Sequence, residues 1–82
     1  MGDYTFVEGE TMEAIQATLG LRICALREEK KMSQLSLVKH TNLNKSYIYL
    51  LETGSANPTL LALIKIAYAL GVDIVELLAD ID

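Results

Sequence analysis

The chain has 82 residues, a formal net charge of −4 and an apolar fraction of 51%, which suits one small domain with a dense core. Its single cysteine and single histidine exclude an internal disulfide and a structural zinc site of the usual four ligands. No apolar run approaches the roughly 20 residues of a membrane span, and the N-terminus lacks the pattern of a secretory signal. Neither a Gly-rich phosphate loop nor a catalytic set of side chains can be found. We therefore expect a cytoplasmic protein that is not an enzyme and needs no cofactor or metal.

The charges are unevenly distributed, which bears on whether the chain can approach a polyanion. Residues 1–20 and residues 66–82 each carry a charge of −4. Residues 21–65 contain all seven basic residues and only three acidic ones, a local charge of +4. Because the local field matters more than the total charge, a nucleic-acid partner is not excluded. So few basic residues nevertheless predict modest non-specific affinity.

The first predicted element is a long helix that follows a short tail. Residues 1–10 lack a helical period and contain two glycines, which predicts a flexible tail. The helix is predicted from Thr11, a plausible N-cap, to Lys31. Its apolar residues recur at spacings of three and four, namely Ile15, Leu19, Ile23 and Leu26. Gly20 within this helix costs about 1 kcal/mol relative to alanine, which close packing of a neighbouring element would explain.

Residues 32–54 predict two short helices joined by a tight turn. Ser33 caps the second helix, and Asn42 can adopt the left-handed conformation that the turn requires. Asn44 caps the third helix, and Gly54 ends it. A helix, a turn of a few residues and a second helix is the layout that places a recognition helix in the major groove of DNA.

Two further helices are predicted after a loop at residues 55–58. Thr59 caps the fourth helix and Gly71 ends it, whereas Asp73 caps a short fifth helix. We therefore predict an all-α domain of five helices over residues 11–82, without strands.

In their order and spacing, these residues resemble the lambda-repressor-like, Cro/cI-type helix-turn-helix family, also called the XRE type. The resemblance runs from about Leu19 to Leu78. It is carried by Leu19-Gly20, Ile23, Leu26-Arg27, Ser33-Gln34, Leu37, Leu43, Ser46-Tyr47-Ile48, Glu52, Gly54, Asn57-Pro58, Ala67, Leu70-Gly71-Val72 and Leu77-Leu78. It implies a compact five-helix domain, with the second and third helices as the helix-turn-helix, that binds DNA, usually as a homodimer, and regulates transcription. Stand-alone domains of this size resemble restriction–modification controller proteins and small phage or plasmid repressors.

The sequence departs from the family pattern at several positions. Val38 stands where the family favours alanine between the two motif helices. Leu35, Tyr49 and Leu50 replace polar or basic side chains on the DNA-facing side. Other commonly polar surface positions are also apolar or aromatic here, namely Leu21, Cys24, Leu61 and Tyr68.

The candidate DNA contacts lie at the start of the second helix, along the third helix and in the loop that follows. Lys45 can donate to guanine O6 or N7, and Ser46 can contact almost any base. Gln34 contacts a phosphate, braces the recognition helix, or is a solvated polar residue near the cap. The two tyrosines either contact DNA or cover the core, and the loop residues either bind phosphate or cap the fourth helix. The full set is Ser33, Gln34, Asn44, Lys45, Ser46, Tyr47, Tyr49, Ser55 and Asn57.

Other residues are assigned structural or assembly roles. The resemblance implies that Arg27 and Glu52 form an ion pair between the first and third helices. Cys24 and His40 are interpreted as an unreactive thiol and a solvated imidazole. The predicted dimer surface is apolar, although the fifth helix could instead close the monomer core. It comprises Leu61, Tyr68, Ile74, Leu77, Leu78 and Ile81.

Two functions remain open. The first is a regulator that binds double-stranded DNA as a homodimer on a pseudo-palindromic operator. The alternative is a protein-interaction module on the same fold, such as an antitoxin or an anti-repressor, with weak or no DNA binding. The acidic total charge and the apolar Leu35, Tyr49 and Leu50 support this alternative. Salt dependence distinguishes the two, because contacts with phosphates weaken steeply as salt rises.

Overall fold

The computed structural model describes residues 8–79, which form five helices and, within that range, no strand. This confirms the predicted all-α class and the number of helices. The helices are α1 (Glu8–Glu29), α2 (Gln34–Thr41), α3 (Lys45–Glu52), α4 (Leu60–Leu70) and α5 (Ile74–Leu77). No helix in this described range is both long enough and apolar enough to cross a membrane.

Helix α1 differs from its prediction at both ends. It begins at Glu8, so Thr11 lies inside the helix and the prediction that Thr11 caps it is wrong. Residues 8–10 therefore belong to the helix, while residues 1–7 of the predicted tail lie outside the described range.

Helix α1 ends at Glu29, two residues earlier than predicted. Lys31 adopts a left-handed conformation with φ of 57°, so it follows the helix rather than continuing it. The backbone N–H of Met32 donates to the carbonyl of Arg27 at 2.9 Å, and that of Lys31 donates to Glu28 at 2.9 Å. These two bonds form a Schellman motif, which satisfies the last carbonyls of the helix.

Short-range capping chemistry fixes where α2, α3 and α4 begin. The side-chain oxygens of Ser33, Asn44 and Thr59 accept backbone N–H groups two or three residues further along, at 2.8–3.1 Å. These bonds confirm all three predicted caps. Asp73 occupies the predicted N-cap position of α5, but its side chain makes no capping hydrogen bond.

The turn between α2 and α3 has the predicted geometry. Asn42 is left-handed with φ of 58°, and its backbone N–H donates to the carbonyl of Val38 at 2.7 Å. The buried hydroxyl of Thr41 donates to the carbonyl of Leu37 at 2.7 Å and accepts the N–H of Leu43 at 3.2 Å. The turn is therefore held by backbone and side-chain bonds together.

The core lies between α1 and the four shorter helices. Its largest fully buried side chains are Ile23, Leu37, Ile48, Leu51, Ile66, Leu70 and Leu77. At Gly20, α1 packs directly on the backbone at the end of α3. A β-carbon there would lie 2.5 Å from the carbonyl oxygen of Leu51 and 2.7 Å from that of Glu52. The close approach that Gly20 suggested is thus present.

Candidate nucleic-acid interface

Helix α3 has a buried face and an exposed face, which separate its structural residues from its candidate contacts. Ile48 and Leu51 are buried on the inner face. The exposed face carries two pairs of side chains at a spacing of four residues, so the members of each pair are neighbours on the helix surface. These pairs are Lys45 with Tyr49, and Ser46 with Leu50.

The exposed face of α3 forms one side of an open groove of about 330 Å³. The start of α2 forms the other side. The groove is lined by Gln34, Lys45, Ser46, Tyr49 and Leu50. Tyr49 and Leu50 are 56% and 41% exposed, so much of their apolar surface faces solvent. The structure therefore brings together four of the predicted contact residues, together with Leu50.

The segment around this groove is strongly basic in spite of the acidic total. Residues 30–51 contain four lysines and no acidic residue. The next acidic residue, Glu52, has a side chain that is only 5% exposed and is already paired. The groove therefore presents an uncompensated positive charge, which attracts an anionic partner.

Glu52 holds the position of α3 through two side chains from other helices. Arg27 in α1 donates from Nε to Oε2 at 2.7 Å and from Nη2 to Oε1 at 3.1 Å, which is a bidentate pair. Gln34 in α2 donates to Oε1 at 2.9 Å. The hydrogen bond to Glu52, more than any other effect, raises the pKa of Arg27 above its ordinary value. Three helices therefore meet at one carboxylate, directly beside the groove.

Gln34 and Tyr47 have structural bonds in addition to their place near the interface. The bond from Gln34 to Glu52 is the bracing contact that is one of its three predicted roles. Tyr47 is half-buried against the core, and its hydroxyl accepts the backbone N–H of Thr59 at 3.3 Å. These contacts favour the packing role for Tyr47 and leave Tyr49 as the exposed tyrosine of α3.

The remaining predicted contacts are exposed but do not line the groove. Ser33 and Asn44 flank it and use their side-chain oxygens to cap α2 and α3. Ser55 and Asn57 lie in the loop between α3 and α4. The hydroxyl of Thr53 lies 3.4 Å from that of Ser55, to which it donates.

Leu50 lines the groove, although it is not in the predicted set of contact residues. Its side chain is apolar, and exposed leucines are common on protein surfaces, so its identity alone gives no functional signal. The available signal is its position four residues after Ser46, which places it on the same exposed face.

The predicted dimer surface separates into exposed and buried parts. Leu77 is completely buried in the core of its own chain, so it has the alternative role predicted for the fifth helix and does not line the predicted dimer surface. Ile74 is half-buried against the core, and Ile81 lies outside the described range. The large exposed apolar residues of α4 are Leu60, Leu61, Ile64 and Tyr68. The last three recur at spacings of three and four, so they form a stripe, which we call the α4 stripe. Tyr68 is 88% exposed, and two open clefts lie between it and the start of α5. Leu78, which follows the end of α5, is also exposed.

The cysteine and the histidine do not form a metal-binding cluster. Among the residues that the structure describes, no group of three or more His, Cys, Asp or Glu side chains could hold a metal ion. The thiol of Cys24 accepts a weak hydrogen bond from Nη2 of Arg27 at 3.7 Å. His40 is exposed, with Nδ1 2.8 Å from the carbonyl oxygen of Ser36.

Comparison with known proteins relates this arrangement to transcription regulators. A family model described as helix-turn-helix matches residues 25–77. The immunity repressor protein of Bacillus phage phi105 is 36% identical over 63 residues, which cover 77% of this chain. They cover only 44% of the phage protein, so the chain matches less than half of that relative. The control protein C.MunI from a Mycoplasma species is 35% identical over 72 residues, covering 87% of this chain and 97% of that protein.

A solved structure shows the same arrangement of helices. The restriction-modification controller protein C.AhdI from Aeromonas hydrophila has a TM-score of 0.74 and 34% identity, covering 76% of this chain and 94% of that one. The resemblance noted in the sequence is thereby confirmed. The chain belongs to the helix-turn-helix family of DNA-binding transcription regulators.

Proposed function

We propose that this chain binds double-stranded DNA as a homodimer on a pseudo-palindromic operator, with α3 of each subunit in the major groove. The observation that carries the proposal is the exposed face of α3, where Lys45 and Ser46 line an open groove in a basic segment. Lysine donates to guanine O6 or N7, and serine both donates and accepts, so together they can contact base edges.

The fixed position of α3 supports this function. Base readout needs side chains held in a defined place, because a misplaced donor leaves a buried polar group unpaired. Glu52 joins α3 to Arg27 and Gln34, and Gly20 allows the backbone of α1 to touch the end of α3. The recognition helix therefore meets DNA without having to be ordered first.

The α4 stripe supports the homodimer. A contiguous exposed apolar patch on a small protein marks an interaction surface. A second copy is a suitable occupant, because a two-fold dimer buries the same patch on both subunits. Such a dimer would place two copies of α3 about 34 Å apart, one turn of DNA. Its formation would then depend on protein concentration, which gives a simple means of regulation.

The similar proteins support a role in regulation. The phage relative is named an immunity repressor, and the Mycoplasma relative is named a control protein. Whether this chain represses or activates depends on where its operator lies relative to a promoter.

Binding to DNA from just upstream of its own gene tests the proposal directly. Fluorescence anisotropy at low and moderate salt should give sequence-selective binding that weakens as salt rises. Lys45→Ala and Ser46→Ala should each weaken binding to the selected sequence, by about 1–3 kcal/mol for Lys45 if it reads a base. Lys39→Ala is the matched control, because it removes one exposed positive charge from α2 outside the groove.

The outcomes of this experiment are distinct. If selective binding is lost in Lys45→Ala and kept in Lys39→Ala, the result would support α3 as the recognition helix. Equal losses in both variants would indicate a general charge effect. Absence of selective binding at any salt concentration would contradict regulation of its own gene and require a search for other genomic sites.

A protein-interaction module is the second candidate, and the exposed apolar residues near the groove favour it. Leu35 is 53% exposed and Leu50 is 41% exposed, at positions where polar side chains would suit a DNA backbone. An apolar protein interface would be insensitive to salt, in contrast to phosphate contacts. Salt-insensitive binding of a protein partner that Leu35→Ala and Leu50→Ala weaken would favour this candidate.

A further inference from the structure

The groove beside α3 combines hydrogen-bond donors with an apolar wall. Lys45 and Ser46 supply the polar groups, whereas Leu50 and the ring of Tyr49 supply exposed apolar surface. Because Ser46 precedes Leu50 by one helical turn, as Lys45 precedes Tyr49, each polar group has an apolar neighbour. A partner that fills this groove must therefore present polar acceptors and an apolar group side by side.

The charge of the surrounding segment restricts the class of partner. Residues 30–51 contain four lysines and no arginine, aspartate or glutamate, and the nearby Glu52 is paired. A polyanion complements this surface better than an apolar protein face does. In the major groove of DNA, the apolar group on a base edge is the C5-methyl of thymine.

We propose that this groove reads thymine, with the C5-methyl group packed against Leu50 and Tyr49 and the O4 acceptor of the same base facing Lys45. The inference rests on the DNA binding proposed above and specifies the base that the apolar wall recognises. Tyr47 does not line this groove, because it packs against the core and its hydroxyl accepts the backbone N–H of Thr59.

The donors in the groove favour thymine over methylated cytosine, which carries the same methyl group. The ammonium group of Lys45 can only donate. Thymine presents an O4 acceptor beside its methyl group, whereas cytosine presents an N4–H₂ donor there. A donor opposite a lysine would leave both groups without a partner, which is costly once water is excluded.

The test uses the full chain and DNA selected from a randomised duplex pool. Each thymine of the enriched sequence is then replaced in turn by deoxyuridine, which removes only the methyl group. At the thymine that faces the groove, we expect the Kd to rise about fourfold, the effect of one buried methyl-sized group. The remaining thymines serve as internal controls and should give little change.

A double-mutant cycle assigns the effect to the groove. In Leu50→Ala, the penalty for deoxyuridine at that position should largely disappear, because the methyl group has lost its apolar contact. In Lys45→Ala, overall affinity should fall but the deoxyuridine penalty should remain. Both side chains are exposed, so neither change should prevent folding.

The results separate this inference from the function on which it rests. Failure to enrich any sequence would overturn the proposed DNA binding and the inference together. Selective binding with no deoxyuridine effect at any position, or with an effect that Leu50→Ala leaves unchanged, would overturn the inference alone. If a 5-methylcytosine–guanine pair at that position bound with the same affinity as the thymine–adenine pair it replaces, the assignment to thymine would be overturned.

Discussion

Nε of Arg27 donates to Oε2 of Glu52 at 2.7 Å, which joins α1 to the last residue of α3. The side chains are only 13% and 5% exposed, so water screens the pair weakly. Gln34 donates to the same carboxylate. Removing the negative charge of Glu52 would therefore disturb three helices at once. The pair thus links the stability of the domain to the orientation of its exposed recognition face.

We expect Glu52→Gln to destabilise the domain by about 3 kcal/mol or more, because it leaves Arg27 uncompensated and sets an amide N–H₂ against its donors. Urea unfolding followed by circular dichroism would measure this loss. Because the pKa of Arg27 is raised in the folded state, its contribution is present at every pH below the unfolded-state pKa and is lost only at strongly alkaline pH. The guanidinium should therefore add no pH dependence to the free energy of unfolding near neutral pH. A loss below about 1 kcal/mol would show that the pair is as weak as an exposed one.

Gly20→Ala should destabilise the protein by about 1–3 kcal/mol, even though alanine is the better helix former by about 1 kcal/mol. The added methyl group would meet the backbone carbonyls of Leu51 and Glu52, which cannot move as a side chain can. Thermal unfolding measures the effect. Ala25→Gly, at an exposed position of α1, is the control for helix propensity alone. This variant should lose about 1 kcal/mol of stability. A stabilised Gly20→Ala variant would mean that α1 can move away from α3.

Two substitutions at Asn44 should separate stability from DNA affinity. Asn44→Asp keeps an oxygen to cap α3, so stability should change little, but it places a negative charge beside the groove. Its affinity for DNA should fall markedly, because phosphates would be repelled. Asn44→Ala removes the cap and should cost about 1 kcal/mol of stability. For each variant, unfolding measures stability and fluorescence anisotropy measures DNA affinity on the same sample. Unchanged DNA affinity in Asn44→Asp would place the DNA away from this end of α3.

Lys31→Gly should stabilise the protein by about 0.5–1 kcal/mol. Lysine at φ of 57° carries the steric cost of the left-handed conformation, which glycine avoids. Greater freedom of glycine in the unfolded chain offsets part of this gain. Lys31→Ala removes the same charge but retains the β-carbon, so it separates conformation from electrostatics. Equal stability of the two variants would contradict a conformational origin.

Tyr68→Glu should convert the proposed dimer to a monomer without unfolding it. Its side chain is 88% exposed in the single chain, so the fold does not depend on it, whereas a dimer through the α4 stripe would bury a charge. Sedimentation equilibrium would measure the change. Leu35→Glu is the control, since it places the same charge on an exposed apolar position of α2. If both variants remain dimeric, the subunits associate through another surface.

The parts of the fold that depend on local chemistry could be predicted from the sequence. Ser33, Asn44 and Thr59 cap helices because their oxygens reach N–H groups two or three residues away. Gly9 obscured the start of α1, because a glycine is tolerated in a helix at modest cost. The apolar stripe of α5 predicts either a dimer surface or a core face for Leu77, since such a stripe cannot reveal whether the same chain covers it; the structure shows Leu77 buried in its own core.

The groove was only partly predictable for a related reason. Lys45 and Ser46 have chemistry that indicates base contacts, and both line the groove. The bond between Gln34 and Glu52 joins residues 18 apart and depends on how α2 packs against α3, so the sequence predicts it only as one of three options. Leu50 has no polar group to indicate a base contact. Its spacing from Ser46 predicts a shared helix face, but only the folded structure shows that this face lines a groove with Gln34.

The division of α3 into a buried face and an exposed face has an evolutionary consequence. Ile48 and Leu51 cannot change without disturbing the core, whereas substitutions at exposed positions usually alter stability by less than about 0.5 kcal/mol. Lys45, Ser46 and Leu50 can therefore vary while the scaffold remains folded. A lineage of such proteins could acquire new operators by a few substitutions on one helical surface, and duplicated genes could diverge in target without passing through an unfolded intermediate.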